Sequence, residues 1–269
     1  MTDALARLRE MQAADLPVHG GRTLAYVYDS GLADVDRVGR EAVAAYAGSN
    51  GLDPTVFPSL LRMENDLVGF AADLLDAPDT AVGSVTSGGT ESVLLAVQAA
   101  RDSRPDVDHP RMVLPVTAHA AFHKAAHYFG VEPVLVPVGP DFRAVPEAMA
   151  AALDDDLHRT VLAAVSAPSY AHGVVDPVTE VAAAAAERGI RCHVDACIGG
   201  WVLPYATRLG RTVPPWTFAV DGVTSISADL HKYGYAPKGT SVLLHRSPQL
   251  RAPQYFASAA WPGYTMINS

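Results

Sequence analysis

Cysteine is scarce in this sequence: its 269 residues include two, Cys192 and Cys197. They stand five residues apart around the end of a predicted strand, which does not suit a disulfide framework, so we expect a reduced, cytoplasmic protein. No apolar run approaches the roughly 18 residues of a membrane span. The first ten residues also lack the apolar segment of a signal peptide. We therefore expect no transmembrane segment.

Basic residues are also few. Lysine and arginine total 20 against 29 aspartates and glutamates, which gives a formal net charge of −9 and a pI near 5.5. A surface that binds a phosphate backbone needs clustered basic residues, so the charge balance argues against nucleic acid as a partner. With 49% hydrophobic and 18% charged residues, the chain can bury a large core. We expect a small-molecule partner.

Helical and strand-like patterns alternate along most of the chain. Residues 1–58 are arm-like, with a strand-like piece at 24–28 and a helix near 34–47, and Ser59 caps an amphipathic helix that runs to about Asp76. Beyond Thr80 the pattern predicts helices at 90–102, 120–129, 146–153 and 177–188, the last capped by Asp176, and strands at 111–117, 133–138, 160–166 and 190–195. This alternation predicts an α/β large domain over 59–269 with a mostly parallel sheet.

One lysine, Lys232, stands in a turn between two strand-like runs, Val223–Ser227 and Thr240–His245. A lysine that is held at a strand end and partly desolvated loses its proton more easily, and its amine can form a Schiff base with an aldehyde such as pyridoxal phosphate. A single lysine is not specific, because most lysines are solvated surface charges. The rest of the chain must supply the other parts of such a site.

Residues 85–92, Val-Thr-Ser-Gly-Gly-Thr-Glu-Ser, place small and hydroxyl residues directly before a predicted helix. Backbone N–H groups at a helix N-terminus, helped by the Ser87 and Thr90 hydroxyls, suit a phosphate. An ordinary helix capped by Ser87 or Thr90 would explain the same residues. No Gly-Lys-Ser/Thr follows and no Gly-x-Gly-x-x-Gly is present, so neither a Walker loop nor a dinucleotide-binding loop is indicated.

Two further side chains suit a flat, nitrogen-containing ring. Asp195 ends a predicted strand at the edge where α/β sheets bind ligands, and a carboxylate there can keep a pyridine nitrogen protonated. A helix cap or an arginine pair would satisfy Asp195 equally well. His119 follows another strand and can stack on a ring. His123 and His127 have i, i+4 spacing but lack the His-Glu-x-x-His pattern and a third ligand, so no metal site is expected.

These motifs resemble those of the pyridoxal-dependent decarboxylase family (group II), and within it the sphingosine-1-phosphate lyase branch. The resemblance rests on Ser-Ala-Asp-Leu-His-Lys-Tyr-Gly-Tyr-Ala-Pro-Lys-Gly at 227–239, His-Val-Asp-Ala-Cys-Ile-Gly-Gly at 193–200 and the glycine pair at 88–89. It implies a fold type I (aspartate-aminotransferase-like) large domain, with a mostly parallel seven-stranded sheet and helices on both faces, in a homodimer. It also implies pyridoxal 5'-phosphate as the cofactor, bound by Ser87, Gly88, Gly89, Thr90, His119, Asp195, Cys197, His231 and Lys232.

The resemblance implies a carbon–carbon lyase that cleaves Cα–Cβ of an amino substrate through a Lys232 Schiff base and releases an aldehyde. Lys232, His231, Tyr28 and Lys238 would be its catalytic residues. Tyr28, Lys238 and the loop at Asn50 match positions used around a substrate phosphate. The arm departs from the family at Gly51 and Asp53, which replace a proline and a histidine, and the segment Ser169-Tyr170 replaces Gln-Phe. A non-phosphorylated substrate therefore stays open, as does loss of carbon dioxide as the reaction.

Two hypotheses that place the chain in other classes of protein also stay open. The family has a C-terminal domain after this point, so we expect the arm and large domain only, and the chain could be a catalytically inactive fragment or a binding module. Failure to bind pyridoxal phosphate would favour the inactive fragment or binding module. The alternating pattern alone would also fit a nucleotide-binding α/β domain, which NAD or ATP binding would favour.

Overall fold

The computed structural model describes residues 2–23, 25–261 and 266–267. Its helices are α1 (Thr2–Gln12), α2 (Ala33–Tyr46), α3 (Pro58–Leu74), α4 (Gly89–Asp102), α5 (Ala120–Phe129), α6 (Pro146–Asp155), α7 (Val178–Glu187), α8 (Leu203–Arg208) and α9 (Pro248–Arg251). Its strands are β1 (Val82–Thr86), β2 (Arg111–Pro115), β3 (Glu132–Val136), β4 (Thr160–Ser166), β5 (Arg191–Asp195), β6 (Val223–Ala228), β7 (Ser241–His245), β8 (Phe256–Ala257) and β9 (Met266–Ile267).

Strands β1 to β7 form one sheet in the order β1-β7-β6-β5-β4-β2-β3. The pairs from β6 through β5, β4 and β2 to β3 are parallel, whereas β7 is antiparallel to both β1 and β6. The prediction of a mostly parallel, seven-stranded sheet is confirmed. Because β1 and β6 both run antiparallel to β7, six of the seven strands end at one edge of the sheet.

Helices cover both faces of the sheet, and strand alternation assigns residues to each face. Met112 and Leu114 of β2 pack in one cluster with Phe122 of α5 and Val97 of α4. Val113 packs in the opposite cluster, which contains residues of α3, α6 and α7. Strands β2, β4 and β7 are buried along their whole length, as expected for a sheet that is covered on both faces.

Three local predictions differ from the structure. Residues 25–26 form a turn and residues 27–28 have no regular structure, so no strand forms there, and Leu24 lies outside the described residues. Helix α3 begins at Pro58, so Ser59 is not its cap. Asp176 does not cap α7 either, because its buried carboxylate accepts the N–H groups of Ala144 (2.9 Å) and Ser166 (2.8 Å) and so joins the segment before α6 to the end of β4. Burial raises the pKa of Asp176.

The first 57 residues contribute no strand in their described part and little to the core. Helix α2 has no buried residue, and α1 is exposed along its described side chains. None of the described helices is long and apolar enough to cross a membrane.

Candidate active site

A cavity of about 300 Å³ opens at the edge of the sheet where β1, β2, β4, β5 and β6 end. Each of these strands is followed by a segment that supplies lining residues: Ser87, Gly88, Gly89, Thr90 and Glu91 after β1; His119 after β2; Pro168 and Tyr170 after β4; Asp195, Cys197 and Ile198 at β5; Asp229, His231 and Lys232 after β6. The parallel sheet thus brings together groups that lie up to 145 residues apart, from Ser87 to Lys232.

Lys232 lies inside this cavity, with 18% of its side chain exposed. Its Nζ is 2.9 Å from Oδ2 of Asp229, three residues earlier in the chain. Burial lowers the pKa of Lys232, but Cys197, Asp229 and Asp195 more than offset that effect, so the pKa is raised. Desolvation thus acts on the pKa of Lys232 in the expected direction, but the charges of Cys197, Asp229 and Asp195 outweigh it, so the net shift is opposite to the expectation.

The glycine pair forms the start of α4. Gly88 precedes the helix with φ +157° and ψ 170°, and no side chain caps the helix, so neither Ser87 nor Thr90 is the N-cap. A Cβ on Gly89 would lie 2.6 Å from Sγ of Cys197 and 2.8 Å from the Asp229 carboxylate. The missing side chain at Gly89 therefore keeps the helix N-terminus open to the cavity, with N–H groups that suit an anion.

Asp195 ends β5, as predicted, and lines the cavity. Its Oδ1 accepts the backbone N–H of Cys197 at 3.1 Å. The Cys197 thiol donates to Oγ of Ser227 at 3.4 Å, and that hydroxyl lies 3.2 Å from Nε2 of His193. Burial raises the pKa of Cys197 well above its usual value, and burial lowers the pKa of His193 to about 3. Cys197 is thus a neutral thiol beside Asp195 rather than a reactive thiolate.

Two rings, those of His119 and Tyr170, also line the cavity. His119 begins α5, where its Nδ1 accepts the N–H of Ala121 at 3.1 Å, and its ring meets that of Tyr170 edge to face at 6.2 Å between centroids. His123 and His127 lie on the exposed face of α5, so the three histidines do not converge. His119 alone of the three lines the cavity.

His231 supports the floor of the cavity beside Gly88. Its Nδ1 is 2.9 Å from the carbonyl oxygen of Thr240, and its Cε1 is 3.4 Å from the position that a Cβ on Gly88 would take. Its Nε2 lies 3.7 Å from Oδ2 of Asp229. The predicted residues Ser87, Gly88, Gly89, Thr90, His119, Asp195, Cys197, His231 and Lys232 all line the one cavity.

The structure places the two remaining predicted residues beside the cavity rather than in it. Tyr28 lines a smaller adjoining cavity of about 200 Å³ that shares Pro168, Tyr170 and Ile198 with the main one. Nζ of Lys238 lies 5.4 Å from the Tyr28 ring centre and donates to the carbonyl oxygen of Tyr26 at 3.2 Å. Lys238 thus holds the arm against the lysine loop.

The loop at Asn50 does not line either of these cavities. Asn50 Oδ1 accepts the N–H of Leu52 at 2.8 Å, and Asp53 Oδ1 accepts both the N–H (2.8 Å) and the hydroxyl (2.7 Å) of Thr55. Hydrogen bonds from Thr55 lower the pKa of Asp53, which is therefore anionic. Within the described chain, Asp53 is bonded to its own loop.

Sequence reasoning missed two carboxylates in the cavity. Asp229 is part of the 227–239 motif but was not predicted as a site residue. A carboxylate three residues before a lysine in a turn can nevertheless contact that lysine. Glu91 lies in the first turn of α4, where its Oε2 accepts the N–H of Ser87 at 2.5 Å. That bond has the geometry of a carboxylate reaching back over a helix start, which the Ser-Gly-Gly-Thr-Glu spacing permits.

The cavity fits a cofactor that carries a phosphate, an aldehyde and a basic ring nitrogen. The uncapped start of α4 supplies N–H groups for the phosphate, Lys232 supplies the amine, and the buried carboxylate of Asp195 suits the ring nitrogen. Oδ1 of Asp229 is buried without a hydrogen-bond partner among the described residues, as in a site that is completed by a ligand. The fold and cavity together match the cofactor-binding domain of pyridoxal-phosphate proteins of fold type I.

Comparison with known proteins agrees with this class. Residues 26–256 match the pyridoxal-dependent decarboxylase conserved domain. The chain belongs to the pyridoxal-dependent decarboxylase family, whose cofactor is pyridoxal phosphate.

Among curated relatives, the chain is similar to sphingosine-1-phosphate lyase of Dictyostelium discoideum, at 42% identity over 97% of this chain and 48% of the relative. It is 40% identical to sphingosine-1-phosphate lyase 1 of Rattus norvegicus over 97% of this chain and 46% of the relative. The chain thus spans about half the length of the curated relatives it matches.

Among solved structures, a sphingosine-1-phosphate lyase of Burkholderia pseudomallei K96243 superimposes with a TM-score of 0.92 at 34% identity, over 99% of this chain and 63% of that one. A glutamate decarboxylase of Lactobacillus brevis superimposes with a TM-score of 0.71 at 20% identity, over 98% of this chain and 62% of that one. The latter likeness shows the shared fold alone.

Proposed function

We propose that this chain is the cofactor-bearing part of a pyridoxal-phosphate-dependent carbon–carbon lyase that acts on an amino substrate, as sphingosine-1-phosphate lyases do. One observation carries the proposal: a lysine amine, an uncapped helix start, a ring-stacking histidine and a buried carboxylate line a single cavity. The similarity to sphingosine-1-phosphate lyases over nearly the whole chain supports the lyase reaction.

Each lining residue has a proposed role. Lys232 binds the cofactor covalently, and Ser87, Gly88, Gly89 and Thr90 hold its phosphate with the first N–H groups of α4. His119 lies against one face of the ring, and Asp195 keeps the ring nitrogen protonated. Cys197 and His231 close the cavity beside these groups. When bound, pyridoxal phosphate supplies an electron-accepting ring that stabilises the carbanion left by bond cleavage.

Tyr28 and Lys238 are proposed to act at the substrate end of the site. The adjoining cavity that Tyr28 lines shares a wall with the main one, which supports an entry route for substrate there. Burial raises the pKa of Tyr28, so its phenol is a proton donor at neutral pH. Burial lowers the pKa of Lys238, with the charge of Lys232 as a second cause.

The alternative reaction is decarboxylation, in which an amino-acid substrate would lose carbon dioxide in the same cavity. What separates the two reactions is the substrate bond that the pocket holds perpendicular to the ring. Two departures from the family bear on the substrate: Asp53 is anionic but bonded to Thr55 in its own loop, and Tyr170 lines the cavity where the family has a phenylalanine. The third candidate is a chain that is inactive alone, and the product assay described below separates it from the other two.

We also propose a cytoplasmic homodimer in which residues 1–58 are an arm and 59–269 the cofactor-binding domain. The exposed apolar side chains of the arm, among them Leu5, Leu8 and Val38, support a second copy as the partner that covers them. Both cysteines are free thiols, which supports a reducing compartment. Light scattering of the purified chain would test the dimer, and a monomer at all concentrations would contradict it.

The reaction is tested by its products. The purified chain with pyridoxal phosphate is incubated with sphingosine 1-phosphate and, separately, with amino acids, and aldehyde and carbon dioxide are both measured. We expect aldehyde from the former, reduced to below about one thousandth by Lys232→Ala and unchanged by Lys124→Ala on the exposed face of α5. Carbon dioxide without aldehyde would establish the decarboxylase alternative. Cofactor attachment without either product would support the inactive fragment.

A further inference from the structure

Asp229 is a buried carboxylate that the proposed roles leave unused. It directly follows β6, and 2% of the side chain is exposed. Oδ2 lies 2.9 Å from Nζ of Lys232, and Oδ1 has no hydrogen-bond partner among the described residues. A buried carboxylate is costly unless it is paired, and the ammonium of Lys232 is the charged group that Asp229 contacts most closely.

The position of Asp229 is fixed from two sides. Both carboxylate oxygens lie 2.8 Å from the point that a Cβ on Gly89 would occupy, so the carboxylate packs against the start of α4. The backbone N–H of Asp229 also donates to the carbonyl oxygen of Cys197 at 3.3 Å. Asp229 therefore stands between Lys232 and the helix start, where it can hold Nζ close to the proposed phosphate site.

We propose that Asp229 is the positioning residue of Lys232: its carboxylate holds the ammonium in the cavity beside Gly89 and keeps it protonated until the cofactor is bound. The inference rests on the proposed function in one respect only, namely that the aldehyde that reacts with Lys232 is pyridoxal phosphate. Asp229 acts through Lys232 and is distinct from Asp195, whose Oδ1 is bonded to the N–H of Cys197.

Several other titratable groups face Lys232, and each is weaker than Asp229 as a partner at neutral pH. Cys197 is a neutral thiol there, because burial raises its pKa well above the usual value, and Tyr28 is a neutral phenol. Lys238 carries the same sign of charge as Lys232 and repels it. Asp195 attracts the ammonium of Lys232 by its charge but makes no hydrogen bond to it. The cavity is also lined by His119, Glu91, Tyr170 and His231, of which the last lies 3.7 Å from Asp229 rather than against Nζ.

The reactivity of Lys232 without cofactor tests this inference. The chain contains three lysines, Lys124, Lys232 and Lys238, so acetylation by trace acetic anhydride can be followed at each by mass spectrometry across pH 7 to 11. In the wild-type chain, the labelling midpoint of Lys232 is expected above that of a free lysine amide. A midpoint below that of the free amide would overturn the inference without any variant.

Asp229→Asn removes the charge and keeps the shape. We expect the Lys232 midpoint to fall by at least about one pH unit, which is about a 10-fold faster reaction at pH 8, because burial then acts without the carboxylate that contacts Nζ. Asp229→Glu should keep the midpoint near that of the wild-type chain, and the profile of Lys124 should not move. An unchanged midpoint in Asp229→Asn would contradict the inference.

Asp176→Asn is the matched control, because Asp176 is a buried carboxylate whose bonds run to the backbone N–H groups of Ala144 and Ser166, away from the cavity. It should lower stability without moving the Lys232 profile, and an equal shift in this variant would mean general loosening and overturn the inference. No cofactor takes part in these measurements. A failure of the proposed function, seen as no attachment of pyridoxal phosphate, would therefore be distinguishable from a failure of the role given to Asp229.

Discussion

The arm and the α/β body of this chain differ in what fixes their side chains. In the body, strands that are covered on both faces end at one edge, and nine predicted cofactor residues line one cavity there. In the arm, α2 buries no residue, and Leu5, Leu8 and Val38 are exposed. The contrast teaches that a covered parallel sheet positions its own loops, whereas the arm has few contacts within the chain that would position it.

The largest contrast should appear in stability. Leu75→Ala removes a side chain that is 1% exposed within the core, and we expect a loss of about 2 to 5 kcal/mol in the free energy of unfolding. Leu5→Ala removes one that is 58% exposed, and we expect a change within about 0.5 kcal/mol. Urea unfolding at low protein concentration measures both.

Equal losses of unfolding free energy in the two variants would contradict the contrast between arm and body. A loss in Leu5→Ala that grows with protein concentration would instead support the contrast, because a contact between molecules would then stabilise the arm.

A smaller contrast should appear between two glycines in cofactor binding. Gly89→Ala places a methyl group 2.6 Å from Sγ of Cys197 and 2.8 Å from the Asp229 carboxylate. Such overpacking costs about 1 to 3 kcal/mol, so we expect the Kd for pyridoxal phosphate to rise about 5- to 150-fold. Absorbance titration with the cofactor measures it.

Gly48→Ala in the arm is the matched control, because nothing lies within 4 Å of its added methyl group. Its Kd for pyridoxal phosphate should equal that of the wild-type chain. If Gly48→Ala weakened binding as much as Gly89→Ala, the cavity would depend on the arm.

The sequence predicted the sheet well because hydrophobic pattern and strand order follow from local rules. The strands at 111–115, 132–136, 160–166 and 191–195 each fall within one residue or two of their predicted bounds. Placing ligands at strand ends then brings Ser87, His119, Asp195 and Lys232 together without any distance information. The resemblance to the family supplied the role of each residue, which periodicity alone could not give.

What the sequence could not predict depends on contacts between segments that are distant along the chain. Asp176 precedes a helix and has the residue type of a cap, yet it bonds to Ala144 and Ser166 instead. Lys238 stays a predicted substrate-end residue, and its hydrogen bond to the carbonyl oxygen of Tyr26 in the arm was not predicted. The raised pKa of Lys232 likewise depends on Cys197, Asp229 and Asp195, which the fold brings around its amine, because burial alone would act in the opposite direction.

The most direct test of the central claim is to identify which lysine binds the cofactor. The purified chain is incubated with pyridoxal phosphate, reduced with borohydride, digested and mapped by mass spectrometry, with Lys232→Ala in parallel. With three lysines in the sequence, the assignment is unambiguous. The account predicts the pyridoxyl group on Lys232 and its loss in the variant. Label on Lys124 or Lys238 in place of Lys232, or no label, would contradict it.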